Sequence, residues 1–250
     1  MRGSFFGGAG SVILMLAFIT IGWKPIDRKV VKDHIVTDSN TIHYTRARTL
    51  YETAELAASG LSFAVLEKAL TGYYNLKNTG RLSDSKSILS IADFDQNSTS
   101  KRLWIVDLEQ KKLVLNTWVA HGERSGADKA TFFSNTSESL KSSIGFFITG
   151  ESYYGKHGLS LRLDGMDEGF NSNARKRSIV LHGADYVSQA TINALGRLGR
   201  SQGCPAVPQE LAGMVVRTLE EGTVLFINVS EQNYTSRYLV QDADTVLASK

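Results

Sequence analysis

From residue 88 onward the chain breaks into short runs of β-branched, aliphatic and aromatic residues separated by polar turns, and this constrains its fold more than any other feature. Ile88 to Ala92, Arg102 to Asp107, Leu113 to Ala120, Ile144 to Thr149, Leu159 to Leu163, Ser178 to His182 and Thr223 to Val229 each have the length and composition of a strand. Lys111-Lys112, after Glu109-Gln110, marks a hairpin between the second and third. Two helical stretches interrupt the series. One runs near Val187 to Leu195. The other follows Pro208, whose missing N–H costs nothing at a helix start, and carries Leu211, Met214, Val215 and Leu219 before Gly222 stops it. Residues 87–229 are therefore expected to form a mainly β domain with helical additions.

The upstream pattern is different. Tyr44 to Ala58 carries Leu50, Ala54, Leu56 and Ala57, and Leu61 to Tyr74 carries Phe63, Leu66, Ala69, Leu70 and Tyr73 along one helical face. Gly60 and Gly72 punctuate these stretches, and residues 44–86 read as a small helical lead-in packed on the β body. Residues 24–43 are polar, without period, and read as a linker. At the start, Arg2 precedes an apolar stretch from Ser11 to Trp23. A positive residue before a short apolar run is the pattern of a signal peptide, or of a membrane anchor if it is retained. The stretch is shorter than the roughly 20 apolar residues of a full span. Residues 1–23 thus predict export to the periplasm or cell envelope, and any membrane contact is expected only through this segment. Residues 230–250 are polar and read as a tail over the surface.

Charge narrows the partners. A net charge of +3 over 250 residues supplies no strong field for nucleic acid, which is not expected as a partner. The densest basic run, Arg175-Lys176-Arg177, reads as a solvated turn.

Cys204 is the only cysteine. Spare thiols tend to pair in an oxidising compartment, so one kept without a partner in an exported chain points to chemistry. Acyl transfer needs a nucleophile, a base and donors for the developing oxyanion. Cys204 supplies the sulfur, and His182, closing the apolar run Ser178-Ile179-Val180-Leu181, is placed at a strand edge as its base. The amides of Gly203 and Cys204 are the natural oxyanion donors, Ser201 supports the turn or the nucleophile, and Arg200 is positioned to grip a carboxylate with its planar fork. Asp185 could orient the imidazole from three residues on. His121, His157 and His182 each precede glycine and could join the thiol around zinc, but no two have the close spacing of paired metal ligands. No metal or organic cofactor is expected. His121 reads as structural.

The run Gly199-Arg200-Ser201-Gln202-Gly203-Cys204-Pro205-Ala206, with His182-Gly183 before it, resembles the L,D-transpeptidase catalytic domain family (YkuD-like), which acts on peptidoglycan. Ile91-Ala92-Asp93-Phe94, Arg102 to Asp107, Val119-Ala120-His121-Gly122 and Tyr154-Gly155-Lys156-His157-Gly158 extend the resemblance over residues 45–228. Gln202 stands where the common pattern has a second histidine, and Pro205-Ala206 where it has an apolar residue followed by Arg or Asn. Both departures are similar to the murein L,D-transpeptidase catalytic domain branch. The resemblance implies a β-sandwich catalytic domain over 87–229 and a Cys204 thioester formed on a peptidoglycan stem peptide. It also implies that the Gly183 carbonyl orients His182, and that Tyr154, His157 and Arg162 approach the substrate. The acceptor, an amine (transpeptidase) or water (L,D-carboxypeptidase), stays open. A non-catalytic peptidoglycan-binding module of the same fold is the rival reading. A papain-like peptidase is not supported, because the histidine precedes the cysteine.

Overall fold

In the computed structural model, which describes residues 43–230 and 233–240 together with Met1 and Gly3, eight strands form one sheet. They are β1 (Ile88–Asp93), β2 (Leu103–Asp107), β3 (Lys112–Thr117), β4 (Gly145–Gly155), β5 (Gly158–Gly165), β6 (Val180–Ala184), β7 (Ala206–Pro208) and β8 (Val224–Asn228), in the order β3-β2-β1-β8-β4-β5-β6-β7. The fold is mainly β, as expected. The expected signal or anchor segment and the linker lie outside the described residues, apart from Met1, Gly3 and His43. Among the described residues no helix is long and apolar enough to cross a membrane.

The strands differ in burial, and the reason is their cover. Every residue of β1 and β8 is buried, whereas β3, at the edge, is partly exposed. A strand buried on both faces reads as a continuous apolar run. On one face, Leu89, Ile91, Trp104, Val106, Phe146, Ile148, Val224 and Phe226 meet the helical region. On the other, Leu103, Ile105, Phe147, Leu225 and Ile227 meet Leu161, Leu163, Leu181 and Val207 from the far half of the same sheet. The sheet therefore folds back over its own core. β4 carries the fold through a register shift between Thr149 and Ser152. Ala120, beyond β3, pairs with Ala206 of β7 and brings the two ends of the sheet together, so the body is nearly a barrel.

The helical region is part of this body. Residues 43–53 form α1, and Phe63–Lys77 form α2. Leu66, Ala69, Leu70, Tyr73 and Leu76 of α2 are buried against the sheet. Each buried leucine stabilises by roughly 1.5–3 kcal/mol, so stripping α2 away would expose a core-sized apolar face. Gly72 does not end the helix. A Cβ there would lie 2.0 Å from the Phe146 ring, so the glycine is what lets α2 sit down on the sheet.

The two downstream helices form where expected. α3 (Gln189–Leu195) starts at Ser188, whose side chain accepts from the Thr191 N–H, and ends at Gly196 in the left-handed conformation. α4 (Ala212–Leu219) follows a 3-10 turn (Gln209–Leu211) after Pro208, and Ala212, Val215, Val216 and Leu219 enter the inner core.

Two expectations need correction. The segment after Val229 is not simply a surface tail. Tyr238 is buried in the α2 cluster, Tyr234 Oη donates to Asp167 at 2.7 Å, and Asn75 Nδ2 donates to the Tyr238 carbonyl at 2.8 Å. The second concerns His182, which does not lie at a strand edge. β6 continues to Ala184, and His182 pairs with Ser160 of β5 on one side and Ala206 of β7 on the other. The three-residue β7 contains Pro205-Ala206's second residue and Pro208, too short and proline-flanked to stand out in the sequence.

Candidate active site

Parallel pairing of β6 with β7 brings the histidine strand beside the chain leaving Cys204, because β7 starts two residues after the cysteine. Residues 201–204 form the turn leading into it. Ser201 Oγ donates to the Cys204 carbonyl at 2.6 Å and accepts from the Gly203 N–H at 3.1 Å. The Ser201 backbone is held in turn by His121 and Glu123. Its N–H donates to the His121 carbonyl at 3.0 Å and its carbonyl accepts from the Glu123 N–H at 2.7 Å. Gly203 has φ +122°, and a Cβ there would meet the Lys141 carbonyl at 2.8 Å. Its glycine identity thus serves the protein's own packing.

Cys204 is half-buried and opens on a cavity of about 490 Å³. His182, His157, Ser201 and Arg200 line the same cavity, as do Tyr153, Lys156, Arg177 and Tyr186. Two carboxylates, Glu123 and Glu138, stand on its wall. The sulfur's hydrogen bonds are to backbone: it accepts from the Val180 N–H at 3.5 Å and donates to the Ser178 carbonyl at 3.8 Å. Burial pushes the thiol pKa up, and the Val180 N–H, Arg177 and Lys156 oppose that push.

His182 is only 2 % exposed. Its Nδ1 lies 2.8 Å from the Gly183 carbonyl. A carbonyl only accepts, so Nδ1 carries the proton and Nε2 keeps its lone pair. Asp185 is exposed and makes no such contact. A Cβ on Gly183 would meet Ala212 Cβ at 2.6 Å, so glycine lets α4 close behind the strand. The His157 ring stacks on His182 at 4.3 Å between centroids and 22° between planes. Burial lowers the pKa of His182, the Gly183 carbonyl opposes it, and His157 and Lys156 lower it further. A neutral thiol therefore shares the cavity with a neutral imidazole whose free nitrogen is a base.

Other sequence-derived candidates fall differently. Tyr154 is 82 % exposed and absent from the cavity wall, because alternation along β4 turns Tyr153 inward instead. Arg162 does not line the cavity. It pairs with Glu151 at 3.0 Å and its guanidinium lies over the Tyr153 ring at 4.6 Å, so it backs the inward tyrosine. The Gly203 amide, expected as an oxyanion donor, is taken by Ser201 Oγ, while the Cys204 N–H makes no hydrogen bond among the described residues. Arg200 Nη1 donates to the Glu123 and Gly126 carbonyls, leaving Nε and Nη2 without partners among the described residues.

Among the cavity residues that were not candidates, two stand out. Tyr186 packs its ring where a Cβ on Gly199 would stand, 2.4 Å from the tyrosine Cβ, and burial followed by the Cys204 charge pushes its pKa to about 12. Its place directly after Asp185, in the His182 run, was the available signal. Arg177 is the second. Arg175 of the same basic run is a surface residue paired with Asp164 and Glu151, as a solvated turn requires. Arg177 instead turns inward to the cavity.

His121 is fully buried. Its Nδ1 accepts from Arg102 Nη2 at 2.8 Å, and burial, then the Arg102 charge, lowers its pKa to about 4. It is a neutral strut beneath the Cys204 turn. Among the described residues no three His, Cys, Asp or Glu side chains converge as metal ligands.

A thiol and an imidazole with a free nitrogen on one cavity are a nucleophile and a base of the kind thiol-based acyl transfer uses, carried on a mainly β scaffold. The chain belongs to the L,D-transpeptidase catalytic domain family, whose model matches residues 57–228. No curated protein matches the chain. Among solved structures it is similar to an L,D-transpeptidase from Mycobacterium smegmatis, at 10 % identity and TM-score 0.37, covering 58 % of this chain and 59 % of that one. It is also similar to L,D-transpeptidase 3 from Mycobacterium tuberculosis, at 9 % identity and TM-score 0.38, covering 58 % and 62 %. A third is the L,D-transpeptidase (Yku) from Stackebrandtia nassauensis, at 12 % identity and TM-score 0.34, covering 68 % and 69 %. The chain spans about three-fifths of the length of the first two.

Proposed function

We propose that the protein is a cell-envelope cysteine acyl-transferase that acts on peptidoglycan stem peptides through a Cys204 thioester. The observation that best supports this is that Cys204 and His182 open on one cavity with His182 Nδ1 pinned at the Gly183 carbonyl. His182 Nε2 takes the thiol proton as sulfur attacks the carbonyl at the L-centre of the diamino acid. The Cys204 N–H, with no partner among the described residues, is the amide left for the oxyanion. The C–N bond then breaks, the proton passes to the departing D-residue amine, and a C–S bond remains. An amine or water attacks that thioester and gives its proton to His182; the C–S bond breaks, the new amide or acid leaves, and the sulfur takes the proton back from His182. No step calls for a metal or organic cofactor.

A second reading, a non-catalytic peptidoglycan-binding module, draws on the resting sulfur, which hydrogen-bonds Val180 and Ser178 and not His182. Incubation with purified disaccharide-tetrapeptide, followed by mass spectrometry, separates the two. Loss of the terminal D-residue in wild type and none in Cys204→Ala supports the enzyme. Saturable binding without turnover refutes it. Export across the inner membrane belongs to the proposal and rests on Arg2 and the apolar stretch to Trp23. A reporter that works only outside the cytoplasm, fused after Lys32, is expected to be active. A stable but silent fusion would refute export.

A further inference from the structure

We propose that Arg177 is a positioning residue for Cys204: one guanidinium ties the cavity wall to the turn that presents the thiol and places a fixed cation beside it. The inference rests on the reading of Cys204 as the nucleophile.

Arg177 holds residues 134–143 at several points. Nη1 donates to the Ser134 carbonyl at 2.6 Å and to Ser143 Oγ, and Nη2 donates to Ser139 Oγ at 3.1 Å and to the Lys141 carbonyl at 2.8 Å. This segment needs holding. Glu138 and Leu140, both on the cavity wall, have φ +59° and +56°, a left-handed conformation that costs a non-glycine residue of order 1 kcal/mol or more. The same segment abuts the cysteine turn. The Lys141 carbonyl that Arg177 grips is the atom a Cβ on Gly203 would strike, and the Leu140 carbonyl stands in the same relation to Gly122 at 2.6 Å. A shift of this wall is therefore felt one residue from the sulfur.

The other side of Arg177 faces Cys204. Ser178, the next residue, also has a positive φ, +55°, and its carbonyl and the Val180 N–H are the sulfur's two hydrogen-bond partners. Arg177 Nε is buried with no partner. The arginine lines the cavity with Cys204, and its charge is among those that oppose the upward push of burial on the thiol. A planar fork can bridge four acceptors where a lysine's compact ammonium cannot, which is a physical reason for arginine here.

The test uses the full chain with Arg177→Met and Arg177→Lys, reading iodoacetamide alkylation of the single thiol against pH, thermal stability, and acylation by the tetrapeptide. Alkylation needs no turnover, so it reports on Arg177 even if the proposed activity fails. Arg177→Met is expected to raise the alkylation midpoint by about 0.5–1 pH unit, since an adjacent cation favours thiolate. Arg177→Lys is expected to hold the midpoint near wild type while acylation slows roughly tenfold, through loss of the fork that aligns the turn. An unchanged midpoint in a folded Arg177→Met protein would overturn the proposal and leave Arg177 a loop strut. Should Arg177→Met fail to fold, Arg177→Lys decides, and wild-type acylation there would overturn it equally.

Discussion

Removing the Ser201 hydroxyl should separate support of the cysteine turn from a direct part in chemistry. Ser201→Ala keeps the side-chain volume nearly intact but deletes two hydrogen bonds, to the Cys204 carbonyl at 2.6 Å and from the Gly203 N–H at 3.1 Å. Ser201 and Gly203 are buried, so one donor and one acceptor lose their partner together. An unsatisfied buried group costs about 1–3 kcal/mol, and partial access of water through the cavity mouth brings the pair to about 2–4 kcal/mol. For a chain of this size, 1 kcal/mol is about 2–4 °C, so Tm should fall by about 5–10 °C. If half of that loss is felt as misplacement of the sulfur, acylation slows by about 5- to 30-fold, because 1.36 kcal/mol is tenfold. Scanning calorimetry reads the first effect, and the rate of acylation by the disaccharide-tetrapeptide, followed by intact mass, reads the second. Ser201→Thr, which restores the hydroxyl, should recover most of both. Unchanged Tm and rate would refute the hydroxyl as staple of the turn. A lower Tm with faster acylation would show that the freed Gly203 N–H serves the oxyanion, and that Ser201 withholds it in the resting enzyme.

Three further predictions follow from burial and close packing. The pH profile of kcat/KM should be a broad bell: activity needs neutral His182, whose pKa burial lowers from the ordinary imidazole range, and a resting thiol whose pKa burial raises. An acid limb above pH 7 would refute the assignment of the base. His121, with its pKa lowered from 6.5 to about 4, disfavours the folded state once protonated. Stability that is full above pH 6.5 should fall as pH drops toward 4, by about 3 kcal/mol, as 1 unit is 1.36 kcal/mol. Urea unfolding at pH 7 and pH 4.5 reads this, and a His121→Gln protein losing as much over that range would refute His121 as the source. Gly72→Ala places a Cβ 2.0 Å from Phe146 and should destabilise by about 1–3 kcal/mol despite alanine's better helix propensity, whereas a gain in Tm would refute the close approach of α2.

Strands and helices were legible because their signals are local. Apolar runs such as Ile144 to Thr149 and Thr223 to Val229 mark strands covered on both faces, and Pro208 and Gly222 bracket the last helix. The strand β7 was not legible. It is three residues long, and only its pairing with β6 and Ala120 makes it a strand. The site was legible in the residues that carry a distinctive type: the lone cysteine, His182, and the glycine run around them. Tyr154 was named on the resemblance alone; two adjacent tyrosines carry no sign of which faces inward, and the register of β4 with β5 decides it. Arg177 was hidden for a related reason. Its run is basic throughout, and only the path of the chain separates Arg175, paired on the surface, from Arg177, turned into the cavity.

The two groups that the proposed mechanism uses are shifted in opposite senses, the thiol up and the imidazole down, and both shifts favour the neutral form. Moving the proton from sulfur to Nε2 therefore creates an ion pair in a site that disfavours it while empty. The sulfur's resting bonds to the Val180 N–H and the Ser178 carbonyl fit this state, since a thiol can both accept and donate. A thiolate cannot donate, and would lose the Ser178 contact while drawing closer to Val180 and to the cations on the wall. On the proposed mechanism the proton then moves only as the acyl donor arrives, excludes water and supplies a carbonyl to which the developing charge can pass. Such a site holds its thiol in a form that is poorly nucleophilic until substrate is bound.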